Sequence, residues 1–262
     1  MKKELRRAFT SPSFLLSALI FFVTLQGYAV PAYFSTLSEP AKYRESALAL
    51  SLGGIFFGGA ILLQPFCSPM AHAVSQVDDL RSGFMPWCVL RGSIKQYIFI
   101  KSISSFLAAA IAIGGAFLFH AIIWNLVALP YNPNVYPEHE IGFFNESLFF
   151  AWAKIANGLP IYAEVSLGLA FTAGVWSIVA LAVSVWVPDR LLAITIPACI
   201  YELWSSSLTY YLFGFRLISP STLFNDGQTP DRIRDALIAY GVILLVSLLT
   251  YYAGVRRRSC YA

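Results

Sequence analysis

Six long runs of apolar residues, each nearly free of charge, limit what this chain can fold into more than any other feature. A helix needs about 20 such residues to cross about 30 Å of hydrocarbon. The runs lie near residues 14–30, 46–66, 102–126, 165–187, 191–212 and 236–255. In lipid no water reaches backbone N–H and C=O groups, so a run of this length must satisfy them internally, as a helix. Composition agrees: 58% of the 262 residues are hydrophobic and only 12% charged, too few charges to cover a soluble surface. Disorder, a secreted disulfide scaffold and a collagen-like fibre are excluded on the same grounds. The expected fold is all-α: a polytopic membrane protein whose 262 residues form a single transmembrane domain of six spans.

Orientation follows from Lys and Arg near the span ends, which stay cytosolic. With the N-terminus inside, twelve basic residues fall on the cytosolic side (Lys2, Lys3, Arg6, Arg7, Arg81, Arg91, Lys95, Lys101, Arg190, Arg256, Arg257, Arg258) and six outside. Most acids, among them Glu39, Glu45, Glu138 and Asp226, fall outside. Both termini are expected in the cytosol of a cell whose inner membrane holds the protein. The basic residues follow topology rather than one exposed face, so nucleic acid is not an expected partner. The first run resembles a signal peptide in its basic flank, but it is longer than a signal core and Pro31 sits badly for cleavage. It reads as an uncleaved helix. The four cysteines, Cys67, Cys88, Cys199 and Cys260, show no paired spacing and read as reduced structural residues.

Outside the spans, three segments draw attention. In the N-terminal ten residues, Leu5, Ala8 and Phe9 recur at helical spacing with Lys2, Lys3, Arg6 and Arg7 on the remaining face. That pattern suits either an interfacial helix on the anionic cytosolic leaflet or a plain basic flank. The cytosolic segment 67–101 is several times longer than a simple reversal needs. Within it Met70 to Leu80 carries His72, Gln76, Asp78 and Asp79 and reads as a short surface helix stopped by Gly83. The outer segment 213–235 is apolar enough in its first half to re-enter the membrane.

Inside the spans, Glu202 is an acid at depth, followed on one helical face by Ser205, Ser206 and Thr209, one turn after the kink expected at Pro197. The stripe reads either as the lining of a translocation path or as polar glue between helices. Gly54 and Gly58 form a small-xxx-small pattern for close packing against another span or a second copy of the chain. No P-loop, zinc-protease or nucleophile-elbow motif occurs, and Glu138-His139-Glu140 is contiguous and splayed, unlike a metal site. No catalytic residue, resident cofactor or metal is expected.

Taken with the topology, Asp78-Asp79, Arg81-Ser82-Gly83-Phe84, Arg91, Ser93, Tyr97 and Lys101 resemble the segment that follows the second span in permease subunits of bacterial ABC-2-type ABC transporters. The likeness covers the chain mainly through topology. It implies a coupling helix over Met70 to Gly83, with His72, Gln76, Asp78, Asp79 and Arg81 toward a separate P-loop ATPase subunit that binds ATP and Mg. Asp189 and Arg190 would form a second contact, a second permease copy would complete the path, and segment 213–235 would close the exit. The implied activity is outward export of an amphipathic or hydrophobic cargo such as a peptide, antibiotic or lipid. Alternatives are an ATP-independent secondary transporter and a non-transporting membrane scaffold or enzyme.

Overall fold

The computed structural model describes residues 2–40, 44–85, 93–130, 159–205 and 230–260. Nine helices occupy them: α1 (Lys2–Phe9), α2 (Pro12–Thr36), α3 (Ala47–Phe56), α4 (Ala60–Ala71), α5 (Ser75–Arg81), α6 (Ile94–Val127), α7 (Leu159–Trp186), α8 (Arg190–Ser205) and α9 (Pro230–Cys260). Among the described residues there is no strand, only an isolated bridge in which Ala47 N donates to Leu129 O at 2.8 Å.

Local chemistry sets the helix starts. Ser11, Ser46 and Ser93 each cap the helix that follows, accepting from the amides of Phe14, Ala49 and Gln96. Pro12 sits at the first position of α2, where its missing N–H costs nothing. Pro31 lies within α2, which continues to Thr36.

Among the described residues four helices are long and apolar enough to cross a membrane: Pro12–Thr36, Ile94–Val127, Leu159–Trp186 and Ala236–Ser259. A fifth is added if α3 and the helices after it count as one bent span. Here the structure differs from a single continuous helix over 46–66. The chain bends by 67° between α3 and α4, where Phe57, Gly58 and Gly59 leave the helix and Gly59 adopts φ 72°. That left-handed conformation is open to glycine and strained for other residues. α8 is described for 16 residues; the rest of that apolar run, 206–212, lies outside the described residues.

The core runs through the middle of the bundle. Phe21 and Leu25 of α2, Ile55 of α3, Ile113 and Phe117 of α6, Leu169 and Trp176 of α7, Tyr201 of α8 and Tyr240 of α9 are all fully buried in one cluster. Around it, large apolar residues face outward in helical register, including Leu15, Leu19 and Val23 on α2 and Ile238, Val242, Leu245 and Leu249 on α9. So wide an exposed apolar surface is intolerable in water and natural in lipid. The α6–α7 seam is closely packed. A Cβ on Gly114 would stand 3.0 Å from the Ala170 Cβ, and one on Gly174 would enter the Phe106 ring. Ser105 and Ser177 hydroxyls meet across it at 2.6 Å.

Gly54 and Gly58 face α2: a Cβ on Gly54 would lie 2.7 Å from Leu25 O, and one on Gly58 3.1 Å from Thr24 O. Their close-packing partner is therefore a span of the same chain. Gly54 stands in α3, whereas Gly58 stands in the break after it.

Candidate functional site

At one end of the bundle the chain gathers its charges. Three elements converge there: α1, the start of α6, and the α4–α5 corner around His72. α5 is only seven residues long and ends where Gly83 takes φ 66°. Its Gln76, Val77 and Asp79 point into the protein, while Asp78 and Arg81 point out.

Lys101 organises the inner face. α6 begins at Ile94, after the Ser93 cap, so Lys101 lies two turns in, where it is 1% exposed. Its ammonium donates to Asp79 Oδ2 at 2.6 Å, Ser75 Oγ at 2.8 Å and Glu4 Oε1 at 2.9 Å. All three donors are used, which a buried ammonium requires. Arg7 Nη1 donates to the other Asp79 oxygen at 2.8 Å. Two carboxylates thus face two cations in crossed pairs, Glu4 with Lys101 and Arg7 with Asp79. His72 Nε2 lies 3.1 Å from Glu4 Oε1; the ionised carboxylate can only accept, so the imidazole is the donor.

These contacts set the charge states. Burial alone raises the Glu4 carboxyl, but the His72 hydrogen bond and the Lys101 ammonium outweigh it and hold the group at about 2. Burial pushes the His72 imidazole below its usual value despite the Glu4 bond, with the Lys101 charge adding to the fall. A neutral tautomer results at neutral pH.

Beside this network a second, uncharged one ties α5 to α6 and α9. The hydroxyls of Tyr97 and Tyr251 both donate to Gln76 Oε1 at 2.9 Å. Tyr251 is fully buried and lies 175 residues from Gln76 in the chain.

On the outer face α5 meets the turn between α7 and α8. Arg190 Nε donates to Asp78 Oδ1 at 2.8 Å, and Arg81 Nε donates to Pro188 O at 3.1 Å. Arg81 also reaches Asp189 at 3.5 Å. The side chains of these four residues are 38–60% exposed, so each pair contributes little to stability, about 0–1 kcal/mol. Arg258 at the end of α9 donates to Val185 O at 2.6 Å, closing the last turn of α7, and Arg257 lies over the Trp186 ring.

Of the residues singled out from sequence, His72, Gln76, Asp78, Asp79, Arg81, Asp189 and Arg190 thus come together, but on two faces. His72, Gln76 and Asp79 are interior and bound within the chain; Asp78, Arg81, Asp189 and Arg190 form a joined surface. Arg7 faces Asp79 rather than lying wholly on an outer basic face. Glu202 is exposed near the end of α8, and Ser205 Oγ donates to its backbone oxygen at 3.2 Å. Ser206 and Thr209 lie outside the described residues, as do Cys88, Arg91, Glu138-His139-Glu140 and 213–229 of the outer segment. Sequence reasoning missed Glu4 and Arg7 as interior groups and Tyr251 as a partner. One signal was present: Glu4, Arg7 and Ala8 share a helix face at i, i+3, i+4. Among the described residues no group of His, Cys, Asp and Glu is placed to hold a metal ion.

An all-helical bundle with four membrane-length apolar helices and lipid-like outer faces is consistent with a multi-pass membrane protein. Comparison with family models, curated proteins and solved structures finds no match to this chain.

Proposed function

We propose that this chain is the membrane-spanning permease subunit of an ATP-driven exporter of the ABC-2 type, lodged in the cell membrane with six passes and both termini in the cytosol. A separate P-loop ATPase would bind ATP and Mg and grip the chain's inner face. A second permease copy would complete the outward path for an amphipathic or hydrophobic cargo. The observation that carries this reading is the outer face of α5. Two segments more than 100 residues apart, α5 and the 187–190 turn, are each expected from the resemblance to meet the ATPase. They lie side by side, cross-linked through Asp78–Arg190 and Arg81–Asp189.

The physical logic is that of population shift. A nucleotide-driven partner can bias the spans only through contacts that differ between two states. α5 is a suitable place for such contacts. Its outer side is polar and exposed, and its inner side is bonded to α1, α6 and α9, so displacement of α5 cannot leave those helices unaffected. Glu202 supports the second copy: an exposed carboxylate on an apolar helix costs several kcal/mol against lipid, and a protein surface over α8 would remove that cost.

Arg81→Ala combined with Arg190→Ala is the direct test. The pair is expected to abolish co-purification of a P-loop ATPase while the chain keeps its thermal stability in detergent. An ATPase that binds the double variant as it binds the native chain would overturn the proposal. Asp79→Ala is a poorer probe, because it strips a buried partner from both Lys101 and Arg7.

A further inference from the structure

We propose that α1 is a detachable ionic latch over the α5–α6 joint, and that an anionic bilayer surface competes for it. Four observations converge on this.

The first is how α1 is held. Among its described side chains only Ala8 is fully buried, with Phe9 packed at the edge of the core against Phe14. Such a small apolar footprint leaves the crossed pairs, Glu4 with Lys101 and Arg7 with Asp79, to decide whether the helix docks.

Exposure supplies the second. Side-chain exposure falls from 41% at Arg7 to 20% at Glu4, 4% at Asp79 and 2% at Lys101. The α1 groups form the outer layer of the network. If they leave, Lys101 keeps Asp79 and Ser75, so no buried charge is orphaned. Lifting α1 removes one anion and one cation together, and the remaining pair stays neutral. Undocking is therefore a reversible step rather than a collapse of the site.

The third observation is the joint. Only Thr10 and Ser11 separate α1 from Pro12 at the start of α2, and Ser11 already serves as the cap of α2. α1 can swing about this short connection without unwinding α2.

Fourth, α1 carries a second set of contacts. Lys3 and Arg6 are exposed on its outer side. Once released, Arg7 joins them, and each basic residue near an anionic bilayer gains about 1 kcal/mol. Docked, α1 clasps α5; undocked, it lies on lipid. If α5 is the coupling helix proposed above, the latch sets how freely that helix moves.

The test uses the full chain in vesicles, with native cysteines replaced and Ala8→Cys introduced as a reporter that a soluble maleimide reaches only when α1 lifts. Glu4→Gln is expected to raise the labelling rate about tenfold in phosphatidylcholine, the effect of weakening a part-buried hydrogen bond between charged groups. Replacing half the lipid with phosphatidylglycerol is expected to raise labelling without that change, and Lys3→Glu with Arg6→Glu to cancel the rise. Ala73→Cys, fully buried at the same end but in a cluster without α1, is expected to stay protected throughout. Hydrogen exchange of residues 5–10 in the unsubstituted chain should follow the same lipid order. Labelling indifferent to Glu4→Gln, indifferent to phosphatidylglycerol, or rising in step at Ala73→Cys would each overturn the latch. No ATPase is present in this experiment, so its failure leaves the coupling reading standing, and failure of the Arg81/Arg190 test leaves the latch standing.

Discussion

The charged network around Lys101 and the α6–α7 seam bury polar groups in opposite ways. Around Lys101, full charges are brought inside and matched donor for acceptor, with four ionic side chains and a neutral histidine drawn from α1, α5, α6 and the His72 corner. Along the seam, the polar atoms are hydroxyls and backbone carbonyls. Ser105 meets Ser177, and Ser166 Oγ donates to Gly114 O at 3.1 Å. Each of these contacts involves partial charges only. The difference teaches how much each region can be altered. A charge left without its partner in a low-dielectric interior is far costlier than a lost hydroxyl contact. The seam instead depends on shape, because its backbones approach to distances only glycine and alanine permit.

The largest effect that could break this contrast is Lys101→Met. It leaves Asp79 and Glu4 as neighbouring carboxylates with Arg7 alone to balance them, and a loss of about 3–5 kcal/mol is expected in the thermal or denaturant unfolding of the purified chain. A neutral outcome would show that the network is wetter than its burial indicates. Acid should act next. Glu4 is held at about 2 against a usual 4.5, so the unfolded chain takes up its proton first. The stabilisation is full above 4.5 and is lost as pH falls from there toward 2. Allowing for the partial exposure of Glu4, the loss is on the order of 2 kcal/mol. His72, lowered from 6.5, adds a loss of the same sign that begins below 6.5. Glu4→Gln should flatten the lower window in a stability–pH profile.

In the seam, Gly174→Val should cost about 1–3 kcal/mol through overpacking against Phe106, measured as a lowered Tm in detergent. Ser177→Ala should cost less, about 0.6 kcal/mol, the average of hydrogen bonds between membrane helices. The smallest stability change is expected at the exposed pairs, where Arg190→Ala should alter Tm barely at all. If Ser177→Ala proved costlier than Lys101→Met, the comparison between the two regions would be reversed.

Much of the helical architecture was legible because hydropathy and capping are local. The apolar runs and the stop at Gly83 each depend on a few neighbouring residues, as do the caps that the structure shows at Ser11, Ser46 and Ser93, which the sequence reading did not name. The break in the second run was harder to see. Gly58-Gly59 marks it only in hindsight, since membrane helices also use glycine pairs for packing, and Gly54 does so here against Leu25. The site was half legible. Its residues clustered in one segment, but which face of α5 turned inward depended on Lys101, Tyr251 and α1, none of which constrains α5 through local sequence.

Sequence alone determined that this chain is helical and suited to lipid, because transfer into hydrocarbon is a nearly additive property of each residue and backbone hydrogen bonding in lipid leaves few alternatives. Only the tertiary structure decided that Glu4 and Arg7 face inward, that Asp79 is a buried partner while Asp78 is a surface group, and that the 187–190 turn adjoins α5. Ion pairing and close packing depend on distances between residues far apart in the chain, and those distances exist only once the helices have docked.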